Sequence, residues 1–324
     1  MMHAIRLHET GGPDKLVWEE VPIPSPKSGE VLVRHEAVGL NFIDIYFRTG
    51  LYRAPQMPAT LGMEAAGVVE AVGDGVSELK PGDRVAYAMG PIGAYAEART
   101  IRAELLVKLP DDIPARTAAA MMLQGLTAQY LLRRTYAVKP GDTILVHAAA
   151  GGVGLILVQW AKALGATVIG TVSTEAKAEL ARAHGADHVV LTAEDLVARV
   201  AAITDGARLP VVYDSVGRDT WSASLDCLAP LGLLVSYGNA SGPVTGVDLG
   251  ILAAKGSLYI TRPTLATYTA KRADLLAMAD DLFGVVRSGK VRINVNQTYP
   301  LREAGAAQRA LEERRTTGST VLLP

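Results

Sequence analysis

The sequence predicts an α/β chain in which a doubly wound, six-stranded parallel sheet is joined to a β-rich, partly open barrel. Three observations carry this. From Thr143 to Thr261, apolar β-branched runs alternate with helical stretches, the pattern of a parallel sheet with helical crossovers. Before residue 112 the runs are strand-like, with little helix between them. After Arg262-Pro263 the alternation stops, and the remaining segments are too few for a third domain. They are expected to rejoin the first part, giving one domain of residues 1–124 completed by 266–324 and a second of 125–265.

The N-terminal strands are expected at 3–7, 16–20, 30–40, 64–72, 85–89 and 95–101. Pro22-Ile23-Pro24-Ser25-Pro26 makes an extended connector. Lys80-Pro81-Gly82-Asp83 and Lys139-Pro140-Gly141-Asp142 are type II turn candidates, with proline preset and glycine supplying positive φ. A helical stretch over 115–136, broken at Gly125, leads to the alternating part. Strands there are expected at 143–147, 167–171, 189–191, 211–214, 233–237 and 257–261. The helices between them read at 153–164, 175–184, 193–203 and 220–228, and Thr192 with Asp195 has the spacing of a capping box. In the tail, helices at 270–286 and 301–314 flank a strand at 291–295, followed by a strand at 318–323.

The stretch 142–177 gives the first chemistry. A short apolar strand runs into the small-residue loop 148–152, then into a helix that is apolar nearly all round, then into a second strand. Ala149, Gly151 and Gly154 hold the spacing of a dinucleotide fingerprint, with alanine at the first position. Small residues let the backbone approach a pyrophosphate and let the helix pack closely on the strand, while the helix N-terminus faces the anion. This is the pattern of a Rossmann dinucleotide loop; the alternative is a tight turn with no ligand. At the end of the second strand, where an NAD-specific fold places an acid for the ribose, stand Ser173, Thr174 and Lys177. Hydroxyls and an ammonium suit a 2′-phosphate, so NADPH is expected over NADH by about 10²–10⁴ if two charge-assisted bonds form. Lys177 also reads as a solvated surface lysine, and Glu175 as a helix-dipole partner pointing to water.

Composition narrows the classes. Net charge is −1, and no Lys/Arg stripe marks a nucleic-acid surface. No run of about 18 apolar residues suggests a membrane span, and a cytoplasmic chain is expected. One cysteine, Cys227, excludes an intramolecular disulfide and reads as a small buried hydrophobe. His184 and His188 have a metal-like spacing, but Gly185 between them breaks the shared face, so no metal site is expected.

The order barrel, sheet, return to barrel resembles the medium-chain dehydrogenase/reductase family over the whole chain. The segments carrying the likeness are Gly39-Leu40-Asn41-Phe42-Ile43-Asp44, Leu61-Gly62-Met63-Glu64-Ala65-Ala66-Gly67-Val68-Val69, Gly82-Asp83-Arg84-Val85, the loop from Ala148 to Gly154 and Tyr213-Asp214-Ser215-Val216-Gly217. Asn41 to Asp44 with Tyr46, and His147 to Gly154, are similar to its zinc-independent quinone oxidoreductase (zeta-crystallin) branch. The resemblance implies a GroES-like catalytic domain, NADPH, a quinone substrate and a homodimer paired at the sixth strand. The family's zinc enzymes need a Cys, a His and a further Cys for catalytic zinc and a four-Cys lobe for structural zinc. No cysteine precedes residue 227, so neither set can be built.

By the same resemblance, Asn41, Asp44, Tyr46 and Arg48 line the nicotinamide end of the cleft, together with Phe42 and Ile43 in cofactor contact. Tyr46 would donate to the quinone oxygen, with Asn41 and Asp44 as its catalytic companions, and Arg262 would approach from the nucleotide side. The alternative for Asn41 to Asp44 is an ordinary turn. Thr127 and Tyr130 would lie near the phosphates, Gly151, Gly152 and Val153 at the pyrophosphate, and Ser215 and Val216 after the fourth strand. Tyr237, Gly238 and Asn239 follow the fifth, and Thr264 and Arg314 complete the path, Arg314 as a second cation for the 2′-phosphate. A tyrosine that the branch often carries after the third strand is replaced by Val190-Leu191-Thr192, which shifts NADPH selectivity onto Lys177 and Arg314. Two other functions fit the residues: a zinc-free enone or enoyl C=C reductase, and a module that binds NADPH or AU-rich RNA with little catalysis.

Overall fold

Strand-like burial begins at the N-terminus and is carried through one computed structural model that describes residues 1–324. The chain divides into two units: unit 1 is Met1–Leu126, Thr269–Phe283 and Ile293–Pro324, and unit 2 is Thr127–Tyr268 and Gly284–Arg292. Unit 1 opens with β1 (Met2–Leu7), β2 (Leu16–Val21), β3 (Glu30–Leu40), helix α1 (Phe42–Thr49) and β4 (Ala59–Thr60). It continues with β5 (Glu64–Val72), β6 (Arg84–Ala88), β7 (Ala98–Arg102), β8 (Val107–Lys108), α2 (Ala115–Ala119) and α3 (Met122–Tyr130). Unit 2 holds β9 (Thr143–Val146), α4 (Gly152–Ala163), β10 (Thr167–Val172), α5 (Glu175–Ala183), β11 (His188–Leu191) and α6 (Leu196–Ile203). It goes on through β12 (Leu209–Asp214), α7 (Trp221–Asp226), β13 (Leu228–Ser236), α8 (Gly250–Ala254), β14 (Tyr259–Thr261) and α9 (Leu265–Tyr268). The tail is α10 (Arg272–Arg287), β15 (Val295–Pro300), α11 (Ala304–Glu312) and β16 (Ser319–Leu323).

Unit 1 is built on antiparallel pairing, and its long strand β3 is the hub. A three-stranded sheet runs β2-β1-β4, and a seven-stranded one runs β15-β16-β3-β5-β6-β8 with β7 also on β3. Inward residues of β3, β5 and β6, among them Val31, Val33, Val38, Val69, Val85 and Tyr87, meet in one apolar core. This is the GroES-like barrel expected. Unit 2 is a six-stranded sheet of order β11-β10-β9-β12-β13-β14, parallel at every pair. Strand order reverses between β9 and β12, the switch point beyond which a doubly wound sheet opens a crevice for ligand. Helix α4 is buried from Gly154 through Ala161, as its all-round apolar surface requires. Cys227 is buried in the core with Leu209 and Leu228. No helix is long and apolar enough to cross a membrane.

Several elements depart from expectation for identifiable reasons. Before residue 112, where little helix is expected, stands α1, eight residues long. Gly125 does not break a helix: it lies within α3, where a Cβ would stand 2.6 Å from Leu282 Cδ1, so it serves close packing. The interruption falls at Ala120 instead, which caps α2. Asp195, not Thr192, is the N-cap of α6, accepting the Ala198 N–H at 3.1 Å, so the helix starts later than expected. Residues 291–295 are not a strand as a whole. Gln159 on α4 takes both backbone groups of Arg292, accepting its N–H at 2.9 Å and donating to its carbonyl at 3.0 Å. Strand β15 therefore begins at Val295. Both proline-glycine turns form, with Gly82 at φ 92° and Gly141 at φ 88°.

Candidate active site

In unit 1 the site is assembled at the junction of β3 and α1. Asn41 is extended, at φ −135° and ψ 156°, and so turns the chain from strand into helix. Three residues on, Asp44 reaches back and accepts the Asn41 N–H at 2.9 Å, the carboxylate half of a capping box. The Asn41 side chain is spent elsewhere: its amide donates to Glu64 Oε2 at 2.7 Å and its carbonyl accepts from Gln124 at 3.1 Å. Glu64 also accepts the Leu123 N–H at 2.7 Å, and Asp44 accepts the Tyr95 hydroxyl at 2.9 Å. Asp44 and Glu64 are both fully buried. Burial pushes Asp44 up to about 7 and Glu64 up to about 8, against hydrogen bonds that pull the other way. Two carboxyl groups that hold protons near neutral pH thus flank one asparagine.

Tyr46, on the same helix, packs edge-on against Tyr52 at 5.3 Å between ring centres and lies 6.4 Å from Phe42. Arg48 does not present its charge outward. It is 1% exposed and donates to Glu312 on α11 at 2.5 Å. Asp44 and Arg48 share one face of α1, and Gln308 and Glu312 share one face of α11. Gln308 reaches the Tyr95 hydroxyl at 3.4 Å, so the two faces are stitched together. Arg48, expected at the substrate end, is thus placed as a buried tie between α1 and α11.

In unit 2 the loop after β9 is shaped by small residues. Gly151 is the N-cap of α4. A Cβ on Gly154 would stand 2.3 Å from the Ala148 carbonyl, so glycine is required for α4 to pack on the loop. A Cβ on Gly151 would meet only that carbonyl, at 3.3 Å, which leaves the other side of the loop open to a ligand. Ala149, at the first fingerprint position, is tolerated because its neighbour on β10 is Gly170, where a Cβ would stand 2.7 Å from the Ala149 methyl. Beyond β10, Thr174 caps α5 by accepting the Lys177 N–H at 3.3 Å. Ser173 is exposed beside it. Glu175 pairs with Arg182 along the helix at 2.6 Å, the outward orientation its alternative reading required.

The remaining expected residues fall at strand ends. Ser215 and Val216 follow β12, with Asp214 Oδ1 accepting the Val216 N–H at 2.8 Å. Tyr237, Gly238 and Asn239 follow β13, and a Cβ at Gly238 would lie 2.3 Å from the Ser215 carbonyl. Arg262, after β14, donates to the Ser236 carbonyl at 2.8 Å and the Gly238 carbonyl at 3.3 Å, which fixes it to this loop. Thr264 joins Thr267 at 3.0 Å at the start of α9. Tyr130 is buried and stacks on Tyr268 at 4.4 Å, and burial raises its hydroxyl well above its usual value. Thr127, one turn before it, is also buried. Arg314 belongs to unit 1, past α11, with φ 58°.

Sequence reasoning missed Glu64, Tyr95, Gln124 and Gln308. Glu64 had a signal, an acid inside the apolar run of β5, which demands buried partners. The two glutamines carried none, since their partners are distant in the chain.

The comparisons with known proteins agree with this architecture. Residues 27–111 match a family model described as an alcohol dehydrogenase GroES-like domain, and residues 152–278 one described as a zinc-binding dehydrogenase. The chain belongs to the medium-chain dehydrogenase/reductase family. Within it, the chain falls in the quinone oxidoreductase branch: it is 58% identical to a quinone oxidoreductase of Pseudomonas aeruginosa over 100% of both chains. It is 48% identical to a 2-haloacrylate reductase of a Burkholderia species over 100% of this chain and 99% of that one. A crystal structure of Escherichia coli quinone oxidoreductase complexed with NADPH superposes with a TM-score of 0.98 at 51% identity, covering 99% of this chain and 100% of that one. Cys227 is 1% exposed within the core of unit 2, and no group of three or more His, Cys, Asp and Glu is placed to hold a metal ion.

Proposed function

We propose that this chain is a cytoplasmic NADPH-dependent quinone reductase that works without a metal. NADPH is held by unit 2, with the pyrophosphate on Gly151, Gly152 and Val153 at the head of α4 and the 2′-phosphate on Ser173, Thr174 and Lys177. Unit 1 supplies the substrate end. The observation that carries the reading is the donor set at the head of α1: an amide between two buried carboxyl groups, where a zinc enzyme needs thiolate and imidazole. When bound, NADPH supplies hydride, and a quinone needs one further proton to become the hydroquinone. Tyr46 donates a hydrogen bond to the quinone oxygen as charge develops there. Asn41, fixed by Glu64, Gln124 and Asp44, holds that end of the site in register. Arg48 acts through Glu312, holding α1 rather than touching substrate.

A second reading, reduction of an activated C=C bond, is favoured by the likeness to 2-haloacrylate reductase. Metal-stripped protein assayed for NADPH oxidation with 1,4-benzoquinone, a naphthoquinone and an α,β-unsaturated ketone separates the two. The expected result is a kcat/KM for the quinones at least about tenfold above the ketone, a difference of about 1.4 kcal/mol. A preference for the ketone transfers the assignment to C=C reduction, and activity that needs added zinc removes the metal-free reading.

The chain is further proposed to act as a homodimer. Strand β14 is the last in the unit 2 sheet order, and Tyr259 on it is 59% exposed. Leu231 and Leu249 in the same unit are 64% and 72% exposed. An uncovered strand edge with apolar side chains about it invites pairing with a second copy. Sedimentation at micromolar concentration is expected to give twice the chain mass, and a monomer would contradict it.

A further inference from the structure

At the carboxyl ends of three adjacent strands of unit 2 lies a buried polar chain that the functional reading does not use. His147 follows β9, Thr171 is in β10 and Asp214 ends β12; Ser224 comes from α7. All four are at most 5% exposed. The distances run in series: Thr171 Oγ1 to His147 Nδ1 is 2.9 Å, His147 Nε2 to Ser224 Oγ is 2.9 Å, and Ser224 Oγ to Asp214 Oδ2 is 2.8 Å. Thr220 donates to the same carboxylate oxygen at 2.7 Å, and the Val216 and Gly217 N–H groups donate to Oδ1 at 2.8 and 3.0 Å.

Hydrogen-bond bookkeeping fixes every proton in this chain. Asp214 accepts at both oxygens, from the Val216 and Gly217 N–H groups and from Thr220, and the single Ser224 proton goes to it as well. Ser224 Oγ must then accept from His147, which puts the imidazole proton on Nε2. Nδ1 is left as an acceptor for the Thr171 hydroxyl. Burial favours the uncharged ring. The neutral Nε2–H tautomer makes every bond in the series, whereas the Nδ1–H tautomer would leave Ser224 one proton for two acceptors.

The backbone shows what the chain holds in place. The His147 N–H donates to the Tyr213 carbonyl at 3.0 Å, and the Ala149 N–H donates to the Thr171 carbonyl at 3.0 Å. Between them Ala148 is held at φ 52°, a left-handed conformation that alanine adopts only under constraint. His147 therefore stands at the root of the small-residue loop, Thr171 just before Ser173 and Thr174, and Asp214 at the root of the Ser215-Val216 loop. These are the three loops that open at the switch point of the sheet.

We infer that His147 is a positioning residue for the dinucleotide: through Thr171 on one side and Ser224 and Asp214 on the other, it sets the spacing of the pyrophosphate, 2′-phosphate and post-β12 loops. The inference rests on unit 2 being the NADPH site. Thr171→Val and Ser224→Ala each remove one link with little change of shape. Each is expected to raise the Kd and KM for NADPH about tenfold, the loss of roughly one buried hydrogen bond, with kcat kept within about twofold. Because the links are in series, the double variant is expected to be no worse than the weaker-binding single one. The ¹⁵N spectrum of His147 is expected to show the Nε2–H tautomer. Variants that bind NADPH within about twofold of the parent protein while losing thermal stability would make the network merely structural and overturn the inference, as would an Nδ1–H tautomer. A fall in kcat at unchanged KM overturns it too. A parent protein that binds no NADPH removes the functional reading itself, which distinguishes the two failures.

Discussion

The hydroxyl of Thr174 and the ammonium of Lys177 occupy one helix end, and each has a separate task. Thr174 closes α5 by capping, worth about 1 kcal/mol. In the proposed reading, the Lys177 side chain is the charge that distinguishes NADPH from NADH in unit 2, beside a helix N-terminus that favours anions. Replacing Lys177 with Ala is expected to weaken NADPH binding about tenfold or more and NADH binding hardly at all. Fluorescence titration with both cofactors measures this; equal losses for the two would assign Lys177 to the surface. Glu175, which could have opposed a phosphate, faces Arg182 instead.

Helix α1 is the element that gathers the buried polar groups of unit 1. Its first turn is held by Asp44, which satisfies a backbone donor and a buried tyrosine at once. Asp44→Ala is expected to cost about 2–4 kcal/mol, since it leaves the Asn41 N–H and the Tyr95 hydroxyl unpaired in a buried site. Asp44→Asn, which keeps one acceptor oxygen, is expected to cost less, and urea denaturation of the two variants reads the difference. The same helix marks the limit of what the sequence makes legible. The strand–loop–helix unit at the dinucleotide loop is readable because apolar periodicity and small residues lie close together in the chain. The α1 region shows only Asn41-Phe42-Ile43-Asp44, equally a turn, because its stability comes from Glu64, Tyr95, Gln124 and α11, far off in sequence. The pairing of Arg48 is equally illegible, its partner Glu312 being in the tail. His147 could be read as the end of a strand, but its partners could not, since they come from three other elements.

For the molecule as a whole, the buried titrating groups set a pH profile of stability. Asp44 and Glu64 are raised from ordinary values of 3.8 and 4.5 to about 7 and about 8. The stability they contribute is complete below their unfolded values and is lost as pH rises through 7 and 8. His35, lowered by burial from 6.5 to about 4, and His147, also lowered, have the opposite sign: their contribution is complete above about pH 6.5 and lost in acid. Between pH 6.5 and 8 only the carboxyl groups act, so stability is expected to fall there by about 1 kcal/mol per pH unit. Urea midpoints at the two ends of that window test it, and Glu64→Gln is expected to flatten the fall. The route of the chain adds a consequence of its own. Strand β16 pairs with β3 at Val38, Gly39 and Leu40, immediately before Asn41, yet it follows all of unit 2 in the chain. On the ribosome, the β3 edge beside Asn41 therefore stays bare while the parallel sheet is already being synthesised. A nascent chain can finish its nucleotide unit before the antiparallel sheet around α1 is closed.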